Sequence, residues 1–207
     1  MGINLGSGFE GLGNSSSTQG SGILNLNKND ILDLTKRNPG LSKVNLGAGW
    51  DVANTGQDFD LDIAAFLLDS NNKFNTVSNV IFFNNKVGKG IYLDGDNRTG
   101  QGEGDDENII IDLNAIDLSI QKIVFVVTIH NAQEKRQTFG MVNNSYVRLI
   151  DVAQGNKELC RFNLRENGST ATSVIFAELY RDAGEWQFKA IGEGKIADLN
   201  GVLALYQ

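Results

Sequence analysis

The sequence predicts an all-β protein, a two-layer β-sandwich built from two related halves with few short helices. Three observations point there. From Ile23 onward, short runs rich in β-branched and aromatic residues are punctuated by Gly, Asn and Asp, which is the texture of strands and turns. These runs recur at spacings that suit packed sheets better than alternating strands and helices. Two stretches also resemble each other. "LSKVNLGAGW…GQDFDLDIAAFLLDSNNKF" and "LSIQKIVFVVTIH…RQTFGMVNNSYVRLIDVAQGNKE" share Leu-Ser, a lysine-led strand, Gln-x-Phe and a strand ending in aspartate. Such a repeat implies two β-motifs packed face to face, each covering the other's apolar side.

In chain order, strands are expected at "KVNLGAGW", "FDLDIAAFLL", "NVIFFNN", "ENIIIDL", "QKIVFVVTIH", "SYVRLIDV", "ELCRFNL", "ATSVIFAELY" and "EWQFKAIGE". In "FDLDIAAF" the two-residue period of a strand sends Phe59, Leu61 and Ile63 to one face and Asp60 and Asp62 to the other, with Asp58 ahead of them in step. Helix is expected only as one turn within "DLNAIDLSI" and as a short closing helix in "ADLNGVLALY". Residues 1–22 are mostly small and polar and read as a flexible Gly/Ser-rich extension; residues 23–207 read as one domain.

Composition narrows the function. At 41% hydrophobic and 21% charged, the 207-residue chain has enough apolar residues for a real core. A net charge of −7 disfavours direct binding to nucleic acid or anionic lipid and makes cations the natural partners. Cys160 is the single cysteine and His130 the single histidine, so neither an internal disulfide nor a zinc cluster is expected. No secretory leader is visible, and no apolar run approaches the roughly 18–20 residues of a membrane helix, so a cytoplasmic location is expected.

The stretch "GDNRTGQGEGDDE", preceded by Asp94, concentrates acid and glycine around a single base, Arg98. Like charges about 4 Å apart repel by roughly 4 kcal/mol near a protein surface, so the crowding calls for a counter-charge. A phosphate loop would need a helix and a lysine after its glycines, whereas "ENIIIDL" is strand-like. An EF-hand fails because Arg98 and Thr99 fall where an acidic or amide ligand and a glycine belong. The oxygen chemistry that Ca²⁺ requires is nevertheless present in Asp94, Asp96, Asn97, Thr99, Asp105, Asp106 and Glu107. Asp58 and Asp60 are expected to meet this loop at the strand's mouth, while Asp62 accepts backbone hydrogen bonds. The alternative is a solvated, solubilising hairpin loop. In the second half "LRENGSTATSV" holds the corresponding place with little acid, so only one half is expected to bind metal. His130, Cys160, Trp50 and Trp186 read as packing residues, and no nucleophile motif is present.

"LTKRNPGLSKVNLGAGWD", "GQDFDLDIAAFLL", "FFNN", "GDNRTGQGEGDDE", "IVFVVTIHNAQEKRQTFGMVNNSYVRL" and "AELYRDAGEWQFKAIGEG" together closely resemble the TerD-domain family of tellurite-resistance and general-stress proteins, from about Ile23 to about Gly194. The resemblance implies a β-sandwich that binds Ca²⁺, with Asp58, Asp60, Asp94, Asp96, Asn97, Asp105, Asp106 and Glu107 on the family's metal-binding positions. It further implies backbone carbonyls near Gly100 and Gly102 completing the shells, and two neighbouring ions. Other Ter-type stress proteins, at the inner face of the membrane, are the implied partners. The N-terminal extension and the close "KIADLNGVLALYQ" depart from the family pattern. The function expected is a non-enzymatic, Ca²⁺-binding stress module; a metal-dependent phosphoesterase and a nucleotide-binding scaffold are the alternatives.

Overall fold

The computed structural model describes residues 23–51, 59–95, 104–163 and 170–207. Their strands form the expected two-sheet sandwich. The first sheet contains β1 (Leu24–Leu26), β3 (Lys43–Asp51), β6 (Val87–Gly88), β7 (Ile91–Asp94), β8 (Glu107–Asp112), β10 (Asn143–Asp151) and β11 (Lys157–Asn163) in the order β1-β11-β10-β3-β8-β7-β6. The second contains β2 (Ile31–Asp33), β4 (Leu61–Leu68), β5 (Val80–Ile81), β9 (Lys122–Ile129), β12 (Ser173–Asp182) and β13 (Glu185–Lys195) in the order β2-β13-β12-β9-β4-β5. All pairings are antiparallel except that of β1 with β11.

The halves of the repeat do not each form one layer. β3 from the first half pairs with β10 from the second, and β4 pairs with β9, so each half sends a strand to each sheet. The halves therefore interlock through backbone hydrogen bonds as well as facing each other.

β4 shows how alternation works when both faces are covered. Leu61, Ile63, Ala65 and Leu67 enter the main core between the sheets, with Phe125, Phe139, Phe176 and Phe188. Ala64, Phe66 and Leu68 point outward into a second apolar cluster with Val80, Val124, Val126 and Ile175. That face is closed by α3 (Leu199–Leu203), whose Val202 is fully buried. A helix this short is not stable alone, so its packing maintains it. Asp198 caps its start by accepting from Gly201 N at 2.8 Å, and Tyr206 lies edge-on to Phe66 with ring centroids 5.7 Å apart. Burying each large apolar side chain contributes about 1.5–3 kcal/mol. Trp50 and Trp186 lie in the main core, as expected.

Several elements differ from expectation. "NVIFFNN" supplies only the two-residue β5, because Phe82 and Asn85 exchange backbone hydrogen bonds of 3.1 and 2.9 Å and turn the chain. "DLNAIDLSI" contains no helix: the Asp112 carboxylate accepts from the N–H groups of Asn114 and Ala115, and that of Asp117 from Ser119, giving side-chain-closed turns. The short β1, β2, β6 and β7 and the single-turn helices α1 (Leu34–Arg37) and α2 (Ala132–Lys135) carry too few residues for a visible period.

Candidate functional site

The exit of the acidic loop, Gly104 to Glu107, lies at one end of the sandwich, and each of its carboxylates has a definite partner. Glu107 opens β8, with its side chain only 2% exposed. Its Oε2 accepts from Ile63 N at 2.6 Å, on the part of β4 that extends beyond the β5 pairing at Ala65. A carboxylate thus takes the place of a missing neighbour strand. Asp106 does the same for β3: its N–H donates to Ala48 O at 2.8 Å, and its Oδ2 accepts from Trp50 N at 2.9 Å, continuing the ladder past the last β3–β8 register pair. Buried backbone donors left unpaired would each cost about 1–3 kcal/mol. Through these neighbouring acids the exit is tied to both sheets.

Asp105 is held on the outer face of the first sheet. Its Oδ1 accepts from Arg148 Nε at 2.8 Å. Gly47 makes the space: a Cβ there would meet Asp105 Oδ2 at 2.0 Å. Gly49 does the same for Tyr146, whose ring a Cβ would meet at 2.6 Å. The Tyr146 hydroxyl is shared between Gly104 O at 3.0 Å and Asp105 Oδ1 at 3.2 Å. Burial and the neighbouring Asp105 charge push the Tyr146 hydroxyl above its ordinary value, so it stays a donor. Burial works against the Arg148 charge, but hydrogen bonds to Asp105 and Glu158 outweigh it and push the guanidinium higher still.

The entry of the loop is different. Asp94 ends β7 opposite Asn108 and is exposed, and Gly95 follows with φ +88°. A Cβ on Gly95 would lie 3.8 Å from Asp106 O, which places entry beside exit. Asp60 is half-buried just before β4, three residues from Ile63, and its backbone carbonyl accepts from His130 N at 2.8 Å. Asp62 is 9% exposed, with Oδ2 3.4 Å from His130 Nδ1. The His130 ring also meets Phe83 edge-on, at 6.2 Å between centroids.

Of the sequence-derived candidates, Asp94 lies beside Asp106 and Glu107 through the β7–β8 pairing, Asp60 stands three residues before the Ile63 that Glu107 holds, and Asp105 turns instead to Arg148 on the outer face of the first sheet. Asp58, Asp96, Asn97, Gly100 and Gly102 lie outside the described residues. Among the described residues, no three His, Cys, Asp or Glu side chains form a metal-holding group. In kind, Asp60 and Asp94 carry carboxylate oxygens, the donor type that a hard cation prefers. Cys160 is buried, and burial pushes its thiol up to about 12, which makes it inert. Sequence reasoning missed Gly47, Gly49, Tyr146 and Arg148; alternation of "YVRL" with the apolar face is the signal that two of them share an outward face.

This geometry defines a two-sheet β-sandwich with an acidic loop pinned at its exit between the sheets. The TerD domain model matches residues 23–206, and the chain belongs to the TerD-domain family of tellurium-resistance and stress-response proteins. It is similar to the Tellurium resistance protein TerD of Serratia marcescens, with 45% identity over 186 residues, covering 88% of this chain and 96% of that protein. It is also similar to General stress protein 16U of Bacillus subtilis, with 47% identity over 175 residues, covering 83% and 90%. A crystal structure of a homologue of the telluride resistance protein TerD from Streptomyces coelicolor superposes with a TM-score of 0.67 at 27% identity, covering 79% of this chain and 96% of that one. No helix among the described residues is long and apolar enough to cross a membrane.

Proposed function

We propose that the protein is a non-enzymatic Ca²⁺-binding module of the tellurite and chemical-damage stress response, in which the filled acidic loop contacts a partner protein. The observation that carries this is the division of labour at the loop. Asp106 and Glu107 fix its exit through backbone N–H groups of both sheets, while Asp60 and Asp94 stand at the adjoining mouth. A loop with fixed ends and many oxygens suits a cation that prefers roughly 6–8 oxygen ligands in flexible geometry.

Asp60 and Asp94 would hold the ion together with Asp58, Asp96, Asn97 and the carbonyls near Gly100 and Gly102, and Asp106 and Glu107 would stand behind them; the number of acids suits two ions. The bound cation would supply the positive charge that relieves repulsion in the loop. The protein's own contribution is the fixed backbone: with both loop ends anchored, less entropy is lost when the segment between them orders.

The names of the relatives support the setting: tellurium resistance, general stress, and a chemical-damaging agent resistance protein of Clostridium acetobutylicum. The module would work in the cytoplasm beside other Ter-type proteins. Any association with the inner face of the membrane would run through a protein partner, because a chain of net charge −7 is repelled by anionic lipid.

The test is calorimetric titration of the purified chain with Ca²⁺ and with Mg²⁺, followed by capture of Ter-type proteins from its own cell with Ca²⁺ or chelator. Saturable Ca²⁺ binding and a Ca²⁺-dependent captured set are expected. Absence of Ca²⁺ binding, or turnover of phosphoester substrates with Mg²⁺, contradicts the reading.

A further inference from the structure

Four neighbouring strands of the first sheet come to one end together: β3 stops at Asp51, β10 starts at Asn143, β11 stops at Asn163 and β1 stops at Leu26. Their ends and the turn after β1 line a cleft of about 680 Å³, with Asp51 on the β3 side, Lys28 beyond β1, and Asn144, Tyr146 and Arg161 between them. Neighbouring strands lie about 4.8 Å apart, so the three steps from β3 to β1 make the cleft roughly 14 Å long. Its middle is preformed. Asp105 Oδ1 takes Arg148 Nε at 2.8 Å, and Arg148 Nη1 reaches Glu158 Oε2 at 2.9 Å. Glu158 accepts from Arg161 Nε at 2.8 Å and Nη2 at 3.1 Å. The Arg161 guanidinium lies 4.2 Å from the centroid of Tyr146, whose hydroxyl returns to Asp105 and closes a ring of polar contacts.

The ring leaves Arg161 Nη1 without a partner among the described residues. Lys28 is exposed, and the turn that carries it is held by Asp30, whose Oδ2 accepts from Asn27 N at 2.7 Å. Across the cleft, Asn144 Nδ2 holds Asp51 Oδ2 at 2.5 Å and so orients that carboxylate. The cleft therefore offers a carboxylate at one end, an ammonium and a guanidinium edge at the other, and the amides of Asn25 and Asn144 along its length. A primary amide both donates and accepts, as a peptide group does. An extended chain covers about 3.4 Å per residue, so the cleft matches about four residues. Arg and Tyr at its middle are the residue types that anchor protein interfaces. Asp51 disfavours nucleic acid or a lone anion as occupant. We propose that this cleft is a peptide-docking site for a partner protein. It takes an extended segment of about four residues, with a basic side chain at Asp51 and an acidic one at Lys28 and Arg161. Because Glu158 and Tyr146 already hold Arg161, little of its side-chain freedom is lost on binding. Docking here is independent of Ca²⁺.

The experiment titrates the full chain, in chelator, with the capped peptide acetyl-Lys-Ala-Ala-Glu-amide and with its Lys-Ala-Ala-Lys and Glu-Ala-Ala-Glu counterparts. Binding is read from the NMR shifts of the Asn25 and Asn144 side-chain amides and of Arg161 Nε–H. Saturable shifts are expected with Lys-Ala-Ala-Glu, and roughly tenfold weaker binding with either like-charged peptide, which meets repulsion at one end. Charge reversal is the decisive arm. Lys28→Glu is expected to bind Lys-Ala-Ala-Lys best, and Asp51→Lys to bind Glu-Ala-Ala-Glu best. Both positions are exposed, so the β9 amides should keep their wild-type shifts. No saturable shift in wild type, equal affinity for the peptides, or an order of preference unchanged in Lys28→Glu overturns the proposal. Equal shifts with inorganic phosphate would mean an anion site and also overturn it. Binding that appears only with Ca²⁺ assigns the contact to the acidic loop instead. Because the titration is run in chelator, a chain that takes up no Ca²⁺ defeats the ion reading and leaves the cleft standing.

Discussion

The entry and exit of the acidic loop have similar composition and opposite structure. At the exit, Asp105, Asp106 and Glu107 are half-buried or buried and are matched with Arg148, Trp50 N and Ile63 N. At the entry, Asp94 is exposed at the end of its strand, opposite Asn108. One acidic run therefore divides into groups that hold the fold and groups turned toward solvent, and charge density alone does not distinguish them. Burial and backbone partners do.

The comparison is broken most severely at Glu107. Glu107→Ala removes the acceptor for Ile63 N and is expected to cost about 2–3 kcal/mol, lowering Tm by roughly 4–12 °C in chelator. A melt unchanged from wild type would show that water replaces the carboxylate at no cost. Next comes the floor of the exit. Gly47→Ala places a Cβ in the space of Asp105 and is expected to cost about 1–3 kcal/mol, with loss of the Arg148 contact visible in the Arg148 Nε–H resonance. An unaltered resonance would mean that the sheet shifts instead.

A smaller effect is the acid dependence of the ring. Burial pushes the Glu158 carboxyl up, but hydrogen bonds from Arg161 and Arg148 outweigh it and hold it below its ordinary value of 4.5. A carboxyl depressed in the folded state stabilises fully above its unfolded value, and that contribution is lost as pH falls through the folded one. Urea melts of wild type should therefore lose stability below about pH 4.5, and Glu158→Gln should lose less over the same interval. Parallel curves for the two would remove Glu158 from the account.

The sandwich was legible because β3, β4, β9, β10, β12 and β13 are long enough for alternation to show. The interlocking of the halves was not, since β3 with β10 and β4 with β9 are pairings between residues far apart in sequence. The acidic loop was legible as a place where charge needs an answer. The answers differ residue by residue because they come from elements that sequence spacing does not relate to the loop: the β3 and β4 backbones for Asp106 and Glu107, and a β10 guanidinium for Asp105. Gly47 and Gly49 read as ordinary strand glycines until the carboxylate and ring above them are placed.

The central claim is that exit acids build the fold and entry acids meet the cation. Thermal melts of wild type, Asp94→Asn with Asp60→Asn, and Glu107→Ala, each in chelator and in saturating Ca²⁺, test it most directly. Ligand at 100 times its Kd stabilises a native state by about 2.7 kcal/mol, so the wild-type shift should be plain. The entry variant is expected to melt like wild type in chelator and to lose most of the Ca²⁺ shift, while Glu107→Ala, which removes the acceptor for Ile63 N, melts lower in chelator and keeps the shift. A Ca²⁺ shift retained without Asp60 and Asp94, or lost only on changing Glu107, would contradict it.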